Sequence, residues 1–290
     1  MTPFILAVLG LAAGSLVSAI VWRTKQQADL RASILELRKQ KKPVQDPRSP
    51  VQDLSILGGR SQCPRCRHQL SAVDLIPVVS WLVLGGRCRY CHKKIAWHYP
   101  VVELVMAGLF LASYYFWPGP LALNGHKVLF VTWLVSLVSL VSLAIYDLRW
   151  RELPTKIIYT TAALALAGRL TYIVFYGHQI ALDLLKLGLA ILIASGLFFL
   201  LHEFSKGKWL GFGDVRLGIL TGTLLADPAL SLLMIFLASL GGTLAALPLL
   251  ISGQKKLNSQ LPYGPHLIAA TLVAYLFGAG LINWYQTLLM

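Results

Sequence analysis

Along the chain, long apolar runs of helical length alternate with short polar breaks. Crossing a bilayer as a helix takes about 20 mostly apolar residues, fewer where an end is buried in protein. Eight runs fit: 4–22, 101–117, 128–146, 157–176, 180–201, 212–225, 230–251 and 267–289, the sixth being the shortest. The pattern predicts an all-α polytopic membrane protein with about eight transmembrane helices. One polar insertion interrupts it between the first and second helices. The expected division is a first transmembrane helix at 1–22, a basic cytoplasmic loop with a four-cysteine domain at 23–100, and a seven-helix membrane domain at 101–290.

Composition agrees, with 56% hydrophobic residues, 13% charged residues and a mean hydropathy of +0.65, outside the usual range of soluble domains. No Lys or Arg precedes the first run, whereas Arg23 and Lys25 follow it, so it reads as an anchor whose start lies outside. Residues 23–100 carry 15 of the 26 Lys and Arg residues. Further cations sit at Arg149, Arg151 and Lys156, at Lys206, Lys208 and Arg216, and at Lys255 and Lys256. Eight alternating spans place all of these on the cytoplasmic side. A net charge of +14 clustered beside spans is a footprint for anionic lipid, not for nucleic acid. Within the loop, "QQADLRASILELRKQKK" aligns Leu30, Ile34 and Leu37 on one helical face, which suits a helix on the membrane or an extension of the first span. A linker, "KPVQDPRSPVQ", follows. No internal repeat is readable.

All four cysteines lie in this loop, as "CPRC" (Cys63, Cys66) and "CRYC" (Cys88, Cys91), 21 residues apart. Two C-x-x-C turns at about this separation are the spacing of a tetrahedral thiolate zinc site. Disulfides are the competing reading, and a reducing cytoplasm disfavours them. Four cysteines close the coordination sphere, so the metal's role is structural, folding a loop too polar to build its own core. Pro64, Gly85 and Gly86 shape the turns. His68 and His92 are alternative ligands, and iron suits the same thiolates.

Ionisable groups at membrane depth are costly and are candidates for function. Asp147 closes the third run in "LAIYDLRWRELP" and Asp214 opens the sixth in "GFGDVRLG". Both fall at the cytoplasmic boundary of an eight-span chain. Taken singly, Asp147 could pair with Arg149 or Arg151, and Asp214 could cap its helix. Together they form a candidate catalytic pair, in which an ionised carboxylate activates water and its protonated partner polarises a carbonyl. Gly211 and Gly213 leave room for another backbone beside Asp214. Glu103 reads as a boundary carboxylate near Lys93 and Lys94. Arg169, Asp183 and Lys186 read as snorkelling or locally paired groups, and Tyr114, Trp117, Trp284 and Tyr285 as interfacial anchors.

Four stretches, "GLAAGSLVSAIVWR", "CPRCRHQLSAVDLIPVVSWLVLGGRCRYCHKKIAWHYPVVEL", "YDLRWRELP" and "GFGDVRLG", give nearly the whole chain a resemblance to the bacterial type IV prepilin peptidases. These are leader peptidase/N-methyltransferases and intramembrane aspartic proteases of the Gly-x-Gly-Asp kind. The resemblance implies catalytic roles for Asp147 and Asp214 and zinc ligation by Cys63, Cys66, Cys88 and Cys91. It implies prepilin or pseudopilin substrates of a pilus, type II secretion or competence system, cleaved after a glycine at the cytoplasmic face of the bacterial plasma membrane. It further implies methylation of the new N-terminus with S-adenosylmethionine. The first span departs from the family's usual Gly-Ser-Phe-Leu-Asn, with Ser18 at the asparagine position, and Thr155 and Lys156 follow "ELP" where Asp or Asn is common. No glycine-rich nucleotide-binding turn is readable, so no S-adenosylmethionine contacts are assigned. The rival functions are an ion-coupled transporter using the aspartates and a non-catalytic zinc-bearing scaffold.

Overall fold

A computed structural model describes residues 1–39, 61–252 and 262–289. Among these residues the only regular elements are helices, with no strand beyond two isolated bridges. The chain divides into two compact units, Met1–Ala112 and Ser113–Met290. The linker at 42–52 and the Lys255 and Lys256 loop lie outside the described residues.

The first unit is built on α1 (Thr2–Lys39), the cysteine loop with a 3₁₀ turn (Val73–Leu75) and a short α2 (Val79–Val83), and the start of α3 (His98–Tyr115). The first span and the amphipathic segment after it form one continuous helix, so the segment extends the span. No proline or glycine interrupts 15–39, and Lys25 pairs with Asp29 one turn on at 3.1 Å. Gly10 and Gly14 sit four residues apart on one face of α1. A Cβ on Gly10 would lie 2.6 Å from the Ala107 Cα, and one on Gly14 would collide with the Glu103 Cα. Two glycines one turn apart thus let α1 and α3 touch backbone to backbone, as small residues do where lipid supplies no hydrophobic drive.

The second unit holds α4 (Asn124–Trp150), α5 (Thr155–Tyr176), α6 (Ile180–Ser205), α7 (Phe212–Leu225), α8 (Pro228–Ile251) and α9 (Gly264–Leu289). Six helices, α1, α4, α5, α6, α8 and α9, are long and apolar enough to cross a membrane. The remaining two of the eight expected spans form helices at the expected places but fall short of that measure. One of them, α7, has only 14 residues, about 21 Å of rise against a hydrocarbon core of about 30 Å. Protein surrounds it instead: ten of its residues are buried, and Gly218 and Gly222 seat it on the Ala194 and Ala190 carbonyls of α6 at 2.5 and 2.8 Å from where a Cβ would stand. Its C-terminal carbonyl at Leu224 accepts a hydrogen bond from Arg169 Nη2 at 2.7 Å, so the half-buried Arg169 caps the end of α7, a local pairing.

The core of this unit centres on α4. Trp133 is 1% exposed, stacks on Tyr275 at 3.9 Å and donates from Nε1 to Ser113 at 2.9 Å. Trp117, half-buried, packs edge-on against Phe130 and tilted against Tyr275. Trp284 and Tyr285 are exposed near the end of α9, as an interfacial pair should be.

Replacing Gly14 by Val should force α1 and α3 apart and lower the stability of the detergent-solubilised chain by about 1–3 kcal/mol or more. Thermal unfolding checks this, and an unchanged midpoint would show that the contact carries no weight.

Candidate functional site

In the second unit, α4 and α7 deliver the two aspartates. Asp147 lies one turn from the end of α4, where Arg151 turns into left-handed backbone at φ +55° and its N–H closes onto the Asp147 carbonyl at 2.8 Å. That closure sends the chain into "ELP", and Pro154 precedes α5. Asp147 is 6% exposed and Asp214 is 8% exposed, each too buried to be left without polar company. Among the described residues no ion pair joins Asp147 to Arg149 or Arg151.

The company comes from backbone. Asp147 accepts a hydrogen bond from the Gly264 N–H at the start of α9, and a Cβ on Gly264 would lie 2.7 Å from its Oδ2. Asp214 stands at the third helical position of α7, and its own N–H donates to the Gly211 carbonyl at 3.1 Å. The two carboxylates act on each other electrostatically. Leu153 lies between their supports: a Cβ on Gly213 would be 3.1 Å from its Cδ1, and one on Gly264 would be 3.6 Å from its Cδ2.

Within the chain, a Cβ on Gly213 would meet the Leu153 side chain, whereas one on Gly211 would have Asp214 Oδ2 as its nearest neighbour beyond the adjacent residues, at 3.8 Å. Sequence reading missed Gly264 altogether. Its signal was a glycine followed by Pro265 at the opening of the last apolar run, a helix start with room at its tip.

Two further clamps fix the loop that carries Asp214. Arg216 donates from Nη1 to the Thr155 hydroxyl at 2.6 Å and lies over the Phe212 ring at 4.8 Å, tying α7 to the start of α5. Thr155, a departure from the family's usual acid or amide, thus has a defined partner. His202 on α6 bonds the Leu210 carbonyl through Nδ1 at 2.9 Å, next to the left-handed Lys206 and Gly207.

In the first unit, the sulfurs of Cys63, Cys66, Cys88 and Cys91 all lie within 4.8 Å of one another, and none is in a disulfide. The four thiols form a closed donor set that could hold one metal ion. His68 and His92 are not part of it, and the His68 ring stacks on Tyr90 at 3.7 Å. The two knuckles repeat each other in detail. In one, the Cys63 N–H bonds the His68 carbonyl at 3.0 Å and the Arg67 N–H bonds the Cys63 carbonyl at 2.9 Å. In the other, Cys88 bonds Lys93 and His92 bonds Cys88, both at 2.9 Å. Arg67 and His92 occupy matching left-handed positions at φ +58° and +54°. The two turns share backbone geometry, with only the cysteine spacing shared in sequence. Burial pushes the Cys63 thiol up, but the N–H groups of Cys66 and Arg65 and the nearby thiols outweigh it and bring it down to about 7. The His68 N–H pulls the Cys66 thiol down, but partial desolvation and the crowding of Cys63 and Cys91 push it up to about 11.

Asp74, absent from the sequence reading, joins the 3₁₀ turn to the second knuckle. It accepts from the Ser71 N–H at 3.1 Å, the Ser71 hydroxyl at 2.7 Å, Arg89 Nε at 2.8 Å and the Tyr90 hydroxyl at 3.2 Å. Burial raises its affinity for a proton, yet these donors prevail and hold its carboxyl near 2. Asp74→Ala should strip this junction and cost about 1–3 kcal/mol. It should also speed loss of bound metal to a chelator, read by a colorimetric metal indicator, whereas an unchanged release rate would separate the network from the cluster.

Residues 8–117 match the Bacterial Peptidase A24 N-terminal domain, and residues 134–247 match the Type IV leader peptidase family. The chain is 30% identical over 239 residues to the Prepilin leader peptidase/N-methyltransferase of Aeromonas salmonicida, covering 81% of this chain and 77% of that one. Over 232 residues it is 29% identical to the protein of the same name from Bacillus subtilis, covering 80% and 87%. The Pseudomonas aeruginosa protein of that name is 27% identical over 279 residues, covering 96% and 91%. No solved structure matches. The paired carboxylates and the cysteine knuckles thus stand in a multi-pass membrane protein that belongs to the type IV leader peptidase family.

Proposed function

We propose that Asp147 and Asp214 are the catalytic pair of an endopeptidase that removes the basic leader from prepilins or pseudopilins. Cleavage takes place at the cytoplasmic face of the bacterial inner membrane, and methylation of the new N-terminus follows. The observation that carries this reading is the joint burial of the two aspartates, Asp147 beside the Gly264 N–H, with Gly213 and Gly264 meeting the same Leu153 side chain. A transporter site for cations has no need of donors aimed at its carboxylates. The relatives' printed names supply the substrate class and the second activity.

The chemistry follows from the pair. Two carboxylates in a partly dry site retain one proton between them. The ionised one takes a proton from water as the water oxygen attacks the scissile carbonyl carbon. The protonated one donates to the carbonyl oxygen, and on collapse the C–N bond breaks and the amine takes a proton. The titration belongs to the pair, so neither residue is fixed as acid or base. Gly264 orients the Asp147 carboxylate, and Arg216 with Thr155 holds α5 to α7. The domain roles follow: residues 113–290 carry proteolysis, and the cysteine loop holds one structural zinc on Cys63, Cys66, Cys88 and Cys91.

Asp147→Asn and Asp214→Asn should each lower the initial rate of prepilin cleavage by about 10²- to 10⁴-fold or more without loss of folded protein. Normal cleavage by either would remove the proposal. Gly264→Ala, which drives a methyl group into the Asp147 carboxylate, should cost up to about 100-fold in the same gel assay. Elemental analysis should find about one zinc per chain, and a metal-free, fully active preparation would overturn the structural-zinc assignment.

A further inference from the structure

The short helix α2, between the two cysteine knuckles, has two unlike faces. Ser80, Trp81 and Leu84 line a cavity inside the first unit. Val79, Leu82 and Val83, spaced i, i+3 and i+4 on one helical face, are 52%, 63% and 77% exposed. Val73 and Ile76, just before the helix, are exposed as well. Apolar side chains scattered singly over a surface need no explanation, but a cluster of them marks a surface that something covers.

Hydrogen bonds fix the level at which this face stands. The Val78 N–H, at the head of α2, donates to the Glu103 carboxylate of α3 at 2.7 Å. Trp97 adjoins the start of α3: its carbonyl accepts the Val101 N–H at 3.4 Å, and its indole is 71% exposed, as an interfacial anchor should be. Glu103 follows six residues later, about 9 Å of helical rise into the expected second span. Val101, Leu104 and Val105 on either side of Glu103 are exposed, as lipid-facing residues are. The head of α2 is thus tied to a point deeper than the headgroup level that Trp97 marks.

Charge completes the match. Residues 61–100 carry six Lys and Arg residues against one acid, Asp74, which already pairs with Arg89. Directly after α2, Arg87 bridges to Lys94, and the Ile95 N–H donates to the Gly86 carbonyl at 2.7 Å. Arg87, Lys93 and Lys94, all exposed, therefore collect at the exit of the helix. An apolar face rimmed by Lys and Arg is the composition of a surface seated in an anionic bilayer interface.

We infer that this segment is a second membrane contact of the first unit, beside its spanning helices. Ile76, Val79, Leu82 and Val83 enter the acyl-chain boundary of the leaflet in which α3 begins. Arg87, Lys93 and Lys94 meet the phosphates of anionic lipids there. The four-thiol cluster, framed by the knuckles on either side of α2, is thereby seated at the bilayer surface.

The test replaces Leu82, Val83 and, as a control, Leu35, one at a time, with the photoreactive p-benzoylphenylalanine. Each full chain is reconstituted into vesicles of phosphatidylethanolamine and phosphatidylglycerol with tritiated acyl chains. Leu35 is also apolar and 57% exposed, but it stands thirteen residues beyond Trp22 on α1, about 20 Å of helix. Irradiation should attach tritium to the chain from positions 82 and 83 at about ten times the yield at position 35 or more. Lys93→Gln together with Lys94→Gln should lower the yield at position 83 by about threefold or more. Thermal midpoints equal to that of the unmodified chain establish that the variants are folded. Cross-links from positions 82 and 83 to residues 113–290 or to added prepilin in place of lipid would overturn the inference. So would a lipid yield no higher than at position 35, and an unchanged yield in the lysine variant would overturn the headgroup contact.

Discussion

Burying two carboxylates together in so apolar a protein is costly, and among the described residues no cation pairs with either to offset that cost. Backbone takes the cation's place at Asp147, where the Gly264 N–H faces the carboxylate and glycine leaves the space beside it open. The rest of the second unit serves that arrangement. The α4 C-cap turns the chain sharply after Asp147, and Leu153 fills the gap between Gly213 and Gly264. Arg216, Thr155 and His202 pin the neighbouring loops. A helix as short as α7 is tolerable because protein, not lipid, surrounds it.

The cysteine segment of the first unit faces a different problem, because its large apolar side chains, among them Ile76, Val79, Leu82 and Val83, stay exposed and do not gather into a core. Two superimposable knuckles, a four-thiol cluster and the Asp74 network replace a hydrophobic core. The unit's helices meet through Gly10 and Gly14, which bring the Ser15, Ser18 and Trp22 face of α1 close to Glu103. Close approach by glycine is thus the shared device of both units, used for helix contact in one and for access to a carboxylate in the other.

Much of this was legible in sequence because the signals are local. Apolar run length predicts the helices, C-x-x-C spacing predicts the thiol cluster, and isolated aspartates at run boundaries stand out against so apolar a background. What escaped prediction depends on distant partners. Gly264 matters through its meeting with Asp147 more than a hundred residues earlier in the chain, and Arg216 through Thr155 on another helix. Asp74 matters through Arg89 and Tyr90, which donate to it from the second knuckle. Trp117, at the end of an apolar run, packs on Phe130 and Tyr275 from other helices.

The central claim is that Asp147 and Asp214 act as one catalytic unit. The most direct measurement compares prepilin cleavage by Asp147→Asn, Asp214→Asn and the double variant, each verified as folded. Groups that work together lose nearly everything when either is removed, so the double variant should be no slower than the worse single variant. Losses that multiply in the double variant, or a double variant that still removes the leader, would contradict the account.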